Sequence, residues 1–299
     1  MKPLLAALAG VAITSWGSIL VRLAAVPAGG AAFHRMAFAT AILLPVLAAA
    51  RAVSPAKPAA TPGAMTRRRR AGLIALSAAC LALHFATWIA SLSYTSIGSS
   101  VMLVSTVPVF SVALSALLLG ERARLASVAA ILVALAGVVV IGSGDLGRGG
   151  GSLRGDLLAL AGAFFAAAYL LIGRRLRDQT PLLEYLLLIY SGSAVLLLAF
   201  CLAGGVSLGP YTAQSYLWLF LMGLGPSCAG HGLLNYAVRH VRAYVVNTVG
   251  LVEPLLATGY AFLLLDERPE PLWFGGAALI AVGLFVVLAE ERALTARAR

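Results

Sequence analysis

The chain has 299 residues, 61% of them hydrophobic and only 11% charged, with a mean hydropathy of +0.96. A soluble domain carries about 25% charged residues, so a pair of soluble domains is excluded. The net charge of +11 sits in short arginine-bearing loops between apolar runs, where helix anchoring and orientation account for it without nucleic acid as a partner.

Crossing a hydrocarbon core of ~30 Å takes ~20 apolar residues per helix. Runs of that kind fall at 4–23, 31–50, 71–92, 97–119, 125–143, 155–173, 182–204, 214–238, 243–265 and 270–289. The spacing predicts an all-α membrane protein with ten transmembrane helices in the lipid bilayer. The first run starts after Lys2 like a signal peptide, but it continues to Leu20 and aligns with a later internal helix, so it is read as an uncleaved first span. Residues 51–70 form the longest interruption and close on Arg67, Arg68, Arg69 and Arg70. Residues 142–155, dense in glycine and charge, read as a linker. Cys80, Cys201 and Cys228 all fall inside predicted spans without metal-type spacing, so neither a disulfide framework nor a metal site is implied.

The stretch 106–137 is written twice. Pro108, Glu121, Arg122 and Gly137 return as Pro254, Glu267, Arg268 and Gly283, each displaced by 146 residues. Residues 1–146 and 147–299 are therefore predicted to be two copies of one five-helix unit. The termini and even-numbered loops hold 17 of the 22 Lys+Arg, against Arg22, Arg35, Arg148, Arg154 and Arg268 in the odd loops. The positive-inside rule then puts both termini in the cytoplasm of a bacterial-type inner membrane. An odd number of spans per copy turns the second copy upside down. Inverted repeats of this kind hold a solute near the midplane, between the halves.

These residues carry a resemblance. Tyr94-Thr95-Ser96, Thr106-Val107-Pro108-Val109-Phe110, Leu119-Gly120-Glu121-Arg122, Ala136-Gly137-Val138, Glu253-Pro254, Asp266-Glu267-Arg268 and Gly283 together resemble the drug/metabolite transporter superfamily of the EamA-repeat type. The narrower group the chain resembles is the YddG-like exporters of aromatic and other neutral amino acids. The resemblance implies ten helices in two inverted five-helix repeats, with helices 1, 3, 4, 6, 8 and 9 lining a cavity and 5 and 10 at the edge. It also implies export of small metabolites such as amino acids. Asp266 departs from the first copy, which has Gly120 at the equivalent turn.

Several side chains inside the spans suit a solute site. His84 and Trp88 are four apart and share a helix face, as do His231 and Asn235. Polar groups in hydrocarbon are costly, so these faces point into protein or a water-filled cavity. Each histidine either lines a pocket or bonds a neighbouring helix and holds the bundle together. Trp16 and Tyr169 occupy nearly equivalent places in the two copies and serve a pocket or helix packing. Tyr94 and Tyr244, near span ends, read as interfacial belts. Ser99, Ser100, Ser105 and Asn247 offer hydrogen bonds to an amino-acid backbone, although a serine also bonds its own i−4 carbonyl. Glu253 is the acidic residue near the midplane. It is either a proton or ammonium site or a cap on backbone groups freed by Pro254. Pro108, Pro226 and Pro254 remove backbone donors within spans and serve as hinges or static bends. Gly137, Gly142, Gly275, Gly276 and Gly283 permit close helix approach, at the repeat seam or in a homodimer.

The chain shows no HExxH, no Cys/His ligand pair and no phosphate-binding glycine loop. An enzyme, a bound cofactor and ATP-driven pumping are accordingly not expected. A solute exporter is the leading reading, with a facilitative carrier or channel-like uniporter as the alternative and a membrane-embedded enzyme behind both.

Overall fold

In hydrocarbon every backbone N–H and C=O must find its partner within the spanning segment, which leaves the helix as the solution for isolated apolar runs. The computed structural model describes residues 2–53, 65–91, 93–95, 97–143, 153–265 and 271–297, and all regular structure among these is helical. In chain order, α1 is Lys2–Thr14 continued by Gly17–Ala24, α2 is Ala28–Val53, and α3 is Arg67–Ser91. Next, α4 is Ile97–Val104 continued by Val107–Leu119, α5 is Leu125–Ser143, α6 is Leu153–Arg177, and α7 is Leu182–Ala203. Then α8 runs through Ala213–Met222, Gly223–His231 and Gly232–Ala237, and α9 through Ala243–Val249, Gly250–Val252 and Glu253–Leu265. Finally α10 is Pro271–Arg297.

Eight of these helices are long and apolar enough to cross a membrane, while Leu125–Ile141 of α5 and Ala243–Leu256 of α9 are shorter apolar helices. Of the expected linker, residues 142–143 end α5 and 153–155 begin α6, while 144–152, with Arg148, lie outside the described residues, as do Asp266, Glu267, Arg268 and the Ser99 side chain. α3 begins at Arg67, so the four-arginine run is the first turn of a helix rather than loop.

Helices five apart pack on one another: α2 on α7, α4 on α9, and α5 on α10. The α3–α6 contact has its counterpart in α8–α1. At the α5–α10 seam a Cβ added to Gly137 would lie 2.5 Å from the Gly276 carbonyl oxygen, and one added to Gly276 would lie 2.6 Å from that of Gly137. Gly283 meets the Ala130 carbonyl in the same way. Shifting Gly137 and Ala130 by the repeat displacement of 146 gives Gly283 and Gly276, so the seam repeats one contact with the partners exchanged. Lipid is as apolar as leucine, so such seams are held by close van der Waals contact, each atom pair adding ~0.1–0.2 kcal/mol. Gly275, one residue from Gly276, has open space beside it.

Charge gathers at the two ends of the bundle. At one end Glu184 of α7 takes Arg70 at 2.6 Å and Arg51 at 3.3 Å, Arg124 meets Glu290 at 3.4 Å, and Arg242 meets Glu291 at 3.7 Å. Arg174 pairs with Glu121 at 2.6 Å and also donates to the carbonyls of Val238 and Val241. These contacts join the connections after α2, α4, α6 and α8 to the end of α10. At the other end Thr95 donates to Asp156 at 2.8 Å, and the Arg154 guanidinium lies 4.3 Å from the Tyr94 ring centroid. Tyr94 is 40% exposed, as an interfacial residue would be, whereas Tyr244 is 1% exposed and so is a core residue rather than a belt. Its hydroxyl accepts a bond from Arg242 at 3.1 Å.

Candidate functional site

Four helices are interrupted in mid-course, each for a local chemical reason. In α1 the hydroxyls of Thr14 and Ser15 both donate to the Val11 carbonyl, at 3.0 and 2.7 Å, and the helix restarts at Gly17. In α4 Ser105 and Thr106 donate to Val101 and Leu103 at 2.7 Å, and Pro108 is the second residue of the next segment. In α9 a three-residue 3₁₀ turn, Gly250–Val252, precedes a segment whose second residue is Pro254. At such early positions a helix N–H has no partner to lose, so both prolines start a segment rather than kink one. In α8 the nine residues Gly223–His231, with Pro226 buried among them, wind as a π-helix, a geometry that recurs at functional sites. Broken helices at membrane depth are tolerated where they line a cavity.

The four breaks converge on a cavity of about 180 Å³, and protein cavities near 150 Å³ hold a benzene-sized molecule. α2, α3 and α6 complete its wall. His84, Trp88, Tyr169, His231, Asn247, Glu253, Pro108 and Pro254 all line it, as does Ser105. The His84 and Trp88 rings are nearly parallel, 6° apart in plane and 6.0 Å between centroids. His84 Nδ1 donates to the Gly162 carbonyl of α6 at 2.9 Å, so one histidine both lines the pocket and ties two helices. His231 meets Phe85 and Tyr169 edge to face and tilted, at 6.0 and 6.3 Å. Trp88 Nε1 and His231 Nδ1 are buried without a hydrogen-bond partner among the described residues, leaving polar capacity in a largely apolar wall. Asn247 donates to Ser111, joining α9 to α4.

Three expected residues stand apart from the cavity. Trp16 is 37% exposed and stacks on Tyr260 at 4.7 Å, while its neighbour Gly17 lines the cavity. One residue turns a helical side chain by ~100°, so Trp16 and Tyr169 are not equivalent. Ser100 is buried and bonds Ser91 at 2.6 Å, and Ser91 in turn bonds the Trp88 carbonyl. It fixes the turn that presents Trp88. Asn235 lies behind the wall, donating to the Tyr169 hydroxyl and the His231 carbonyl.

Arg35, expected in an odd-numbered loop, belongs in the cavity. It sits two turns inside α2, is 3% exposed and lines the pocket. The charge asymmetry of the loops becomes steeper without it, and α2 joins the helices expected to line the site. Arg35 Nε donates to Ser227 Oγ at 2.8 Å, and the guanidinium lies 4.3 Å from the Phe85 ring centroid. Ser227 is held by the π-helix, with the Tyr190 hydroxyl on its carbonyl at 2.8 Å. The other two guanidinium nitrogens have no hydrogen-bond partner among the described residues, and Glu253 is close enough to share an electrostatic field with Arg35. The Glu253 carboxylate likewise bonds no backbone donor among the described residues, so the capping role has no contact behind it. An uncharged stretch from 28 to 50 broken by one arginine was the signal that could have exposed this group.

A bundle of apolar helices, broken around a charged solute-sized cavity, defines a multi-pass membrane transporter. Residues 1–143 and 153–289 match the EamA-like transporter family, and the chain belongs to it. Among curated relatives, a probable terminal-alkyne amino-acid exporter of Streptantibioticus cattleyicolor is 29% identical over 74% of this chain and 75% of its own length. A probable amino-acid metabolite efflux pump of Escherichia coli is 25% identical over 59% and 62%. An uncharacterized transporter of Clostridium kluyveri is 27% identical over 72% and 69%. A protein of known crystal structure shares the fold, with a TM-score of 0.80 over 97% of both chains at 20% identity.

Proposed function

We propose that the protein is a secondary exporter of amino acids or related small metabolites. On this reading it spans the bacterial inner membrane ten times with both termini cytoplasmic. Its two inverted five-helix repeats rock about the midplane cavity in alternating access. The observation that carries the reading is the convergence of four broken helices on one aromatic-walled cavity bearing Arg35 and Glu253. Intramembrane ionisable residues are expensive and mark solute or ion pathways. Two of the relatives are named for amino-acid export. The exchange of partners across the α5–α10 seam favours a pseudo-two-fold relation between the halves.

The test is flux of an amino-acid and metabolite panel in proteoliposomes, with and without an imposed pH difference. Saturable flux with counterflow for at least one neutral or aromatic amino acid is expected. Unsaturable flux would point to a channel, and no flux of any panel member would end the exporter reading.

A further inference from the structure

We infer that the cavity recognises its solute as a zwitterion, with Arg35 taking the carboxylate and Glu253 the ammonium, while the side chain lies against the Trp88 and His84 rings. The inference rests on the exporter reading and goes further, because it assigns each end of the solute to a named group.

The two charges are provided by different helices, α2 and α9, and both line one cavity. Neither is neutralised by contact: each has polar atoms without a hydrogen-bond partner among the described residues. Arg35 is nevertheless held firmly. Ser227 takes its Nε, and the guanidinium carbon lies over the Phe85 ring, 4.3 Å from its centroid. That leaves the terminal nitrogens as a planar fork, the geometry that takes a carboxylate in two parallel bonds. A solute with only a carboxylate satisfies the fork and meets repulsion from Glu253. A solute with only an ammonium does the converse. A molecule carrying both satisfies both poles and stays net neutral, which suits a site that must empty as well as fill. Between the poles the wall is apolar and aromatic, with the unpartnered Trp88 Nε1 and His231 Nδ1 as additional hydrogen-bonding atoms.

The test uses three probes of one shape: L-phenylalanine, 2-phenylethylamine lacking the carboxylate, and 3-phenylpropionate lacking the ammonium. Each competes against counterflow of the best-transported amino acid in proteoliposomes. In the wild type both truncated probes are expected to bind about ten- to hundredfold more weakly than phenylalanine, the usual range for losing a charged hydrogen-bond pair. Arg35→Gln should weaken phenylalanine to the level of 2-phenylethylamine and leave the amine unharmed. Glu253→Gln should do the same for phenylalanine relative to 3-phenylpropionate. Arg35→Lys keeps the charge without the fork and should lie between, and size-exclusion profiles check that each variant folds. Equal weakening of all three probes by either substitution would mark a structural role and overturn the inference. So would equal binding of the three probes to the wild type, a result that needs no variant. Both outcomes leave export intact, whereas absence of amino-acid counterflow in the wild type removes the exporter reading and the inference with it.

Discussion

Two adjacent glycines of α10 give a sharp test of the seam between the halves. Gly276→Ala puts a methyl group 2.5 Å from Ile141 Cγ1 and 2.6 Å from the Gly137 carbonyl oxygen. The isoleucine can turn aside, but the carbonyl belongs to α5 and moves only with its helix. Overpacking of this kind costs ~1–3 kcal/mol, against which the gain in helix propensity from Gly to Ala returns ~1 kcal/mol. Gly275→Ala makes the same propensity gain with nothing within 4 Å of the new methyl. The two variants should therefore differ by about 1–3 kcal/mol, with Gly275→Ala at or above the wild type and Gly276→Ala at or below it. For chains of 150–250 residues 1 kcal/mol moves Tm by ~2–4 °C, so thermal unfolding in detergent should separate the neighbours by several degrees. Gly137→Ala should behave like Gly276→Ala, because its methyl would stand 2.5 Å from the Gly276 carbonyl. Equal Tm for the Gly275 and Gly276 variants would refute the seam. A selective loss at Gly275 would put the tight contact on the adjoining face of α10, about 100° round the helix, where a second copy would have to sit.

Trp88→Ala removes one aromatic wall of the cavity and should cut amino-acid efflux at least about tenfold while the protein inserts and purifies normally; unchanged efflux would remove α3 from the solute path. Arg174→Ala breaks the 2.6 Å pair with Glu121 and leaves two carbonyls of the α8–α9 connection without their donor. Because the pair is partly exposed, a loss of about 1–2 kcal/mol is expected, read as a lower Tm, with Arg174→Lys restoring only part of it. Single cysteine reporters in a cysteine-free background check the orientation: positions 51, 124 and 290 should label from the cytoplasmic side and positions 94 and 211 from the other.

The helices were legible because hydropathy acts over twenty residues at a time and tolerates local noise. Their interruptions were partly legible. Pro108 and Pro254 announce the breaks in α4 and α9, but the break in α1 comes from two hydroxyls sharing the Val11 carbonyl, and no residue type forbids a helix there. Position around a helix was least legible. Trp16 and Gly17 are neighbours, yet one faces Tyr260 and the other the cavity, a distinction set by how α1 packs on α8 and α9. Asn235 stands one turn from His231, yet His231 lines the cavity while Asn235 holds the wall from behind.

Arg35 is hidden in the sequence for a different physical reason. What the two copies have in common is mostly scaffold: the prolines that open segments and the glycines that let α5 and α10 touch, with the paired cavity histidines as the exception. Charge in the cavity follows the opposite logic. Glu253 stands where the first copy has Val107, and both line the pocket, so the anion is contributed by the second half alone. The cation is contributed by the first half, from α2, held by a serine of the π-helix in α8. A site with two unlike poles cannot be built from two like halves unless each has diverged. In a duplicated membrane protein, therefore, repetition identifies the frame, and a lone ionisable residue that breaks the repetition inside a span is the better guide to what the frame holds.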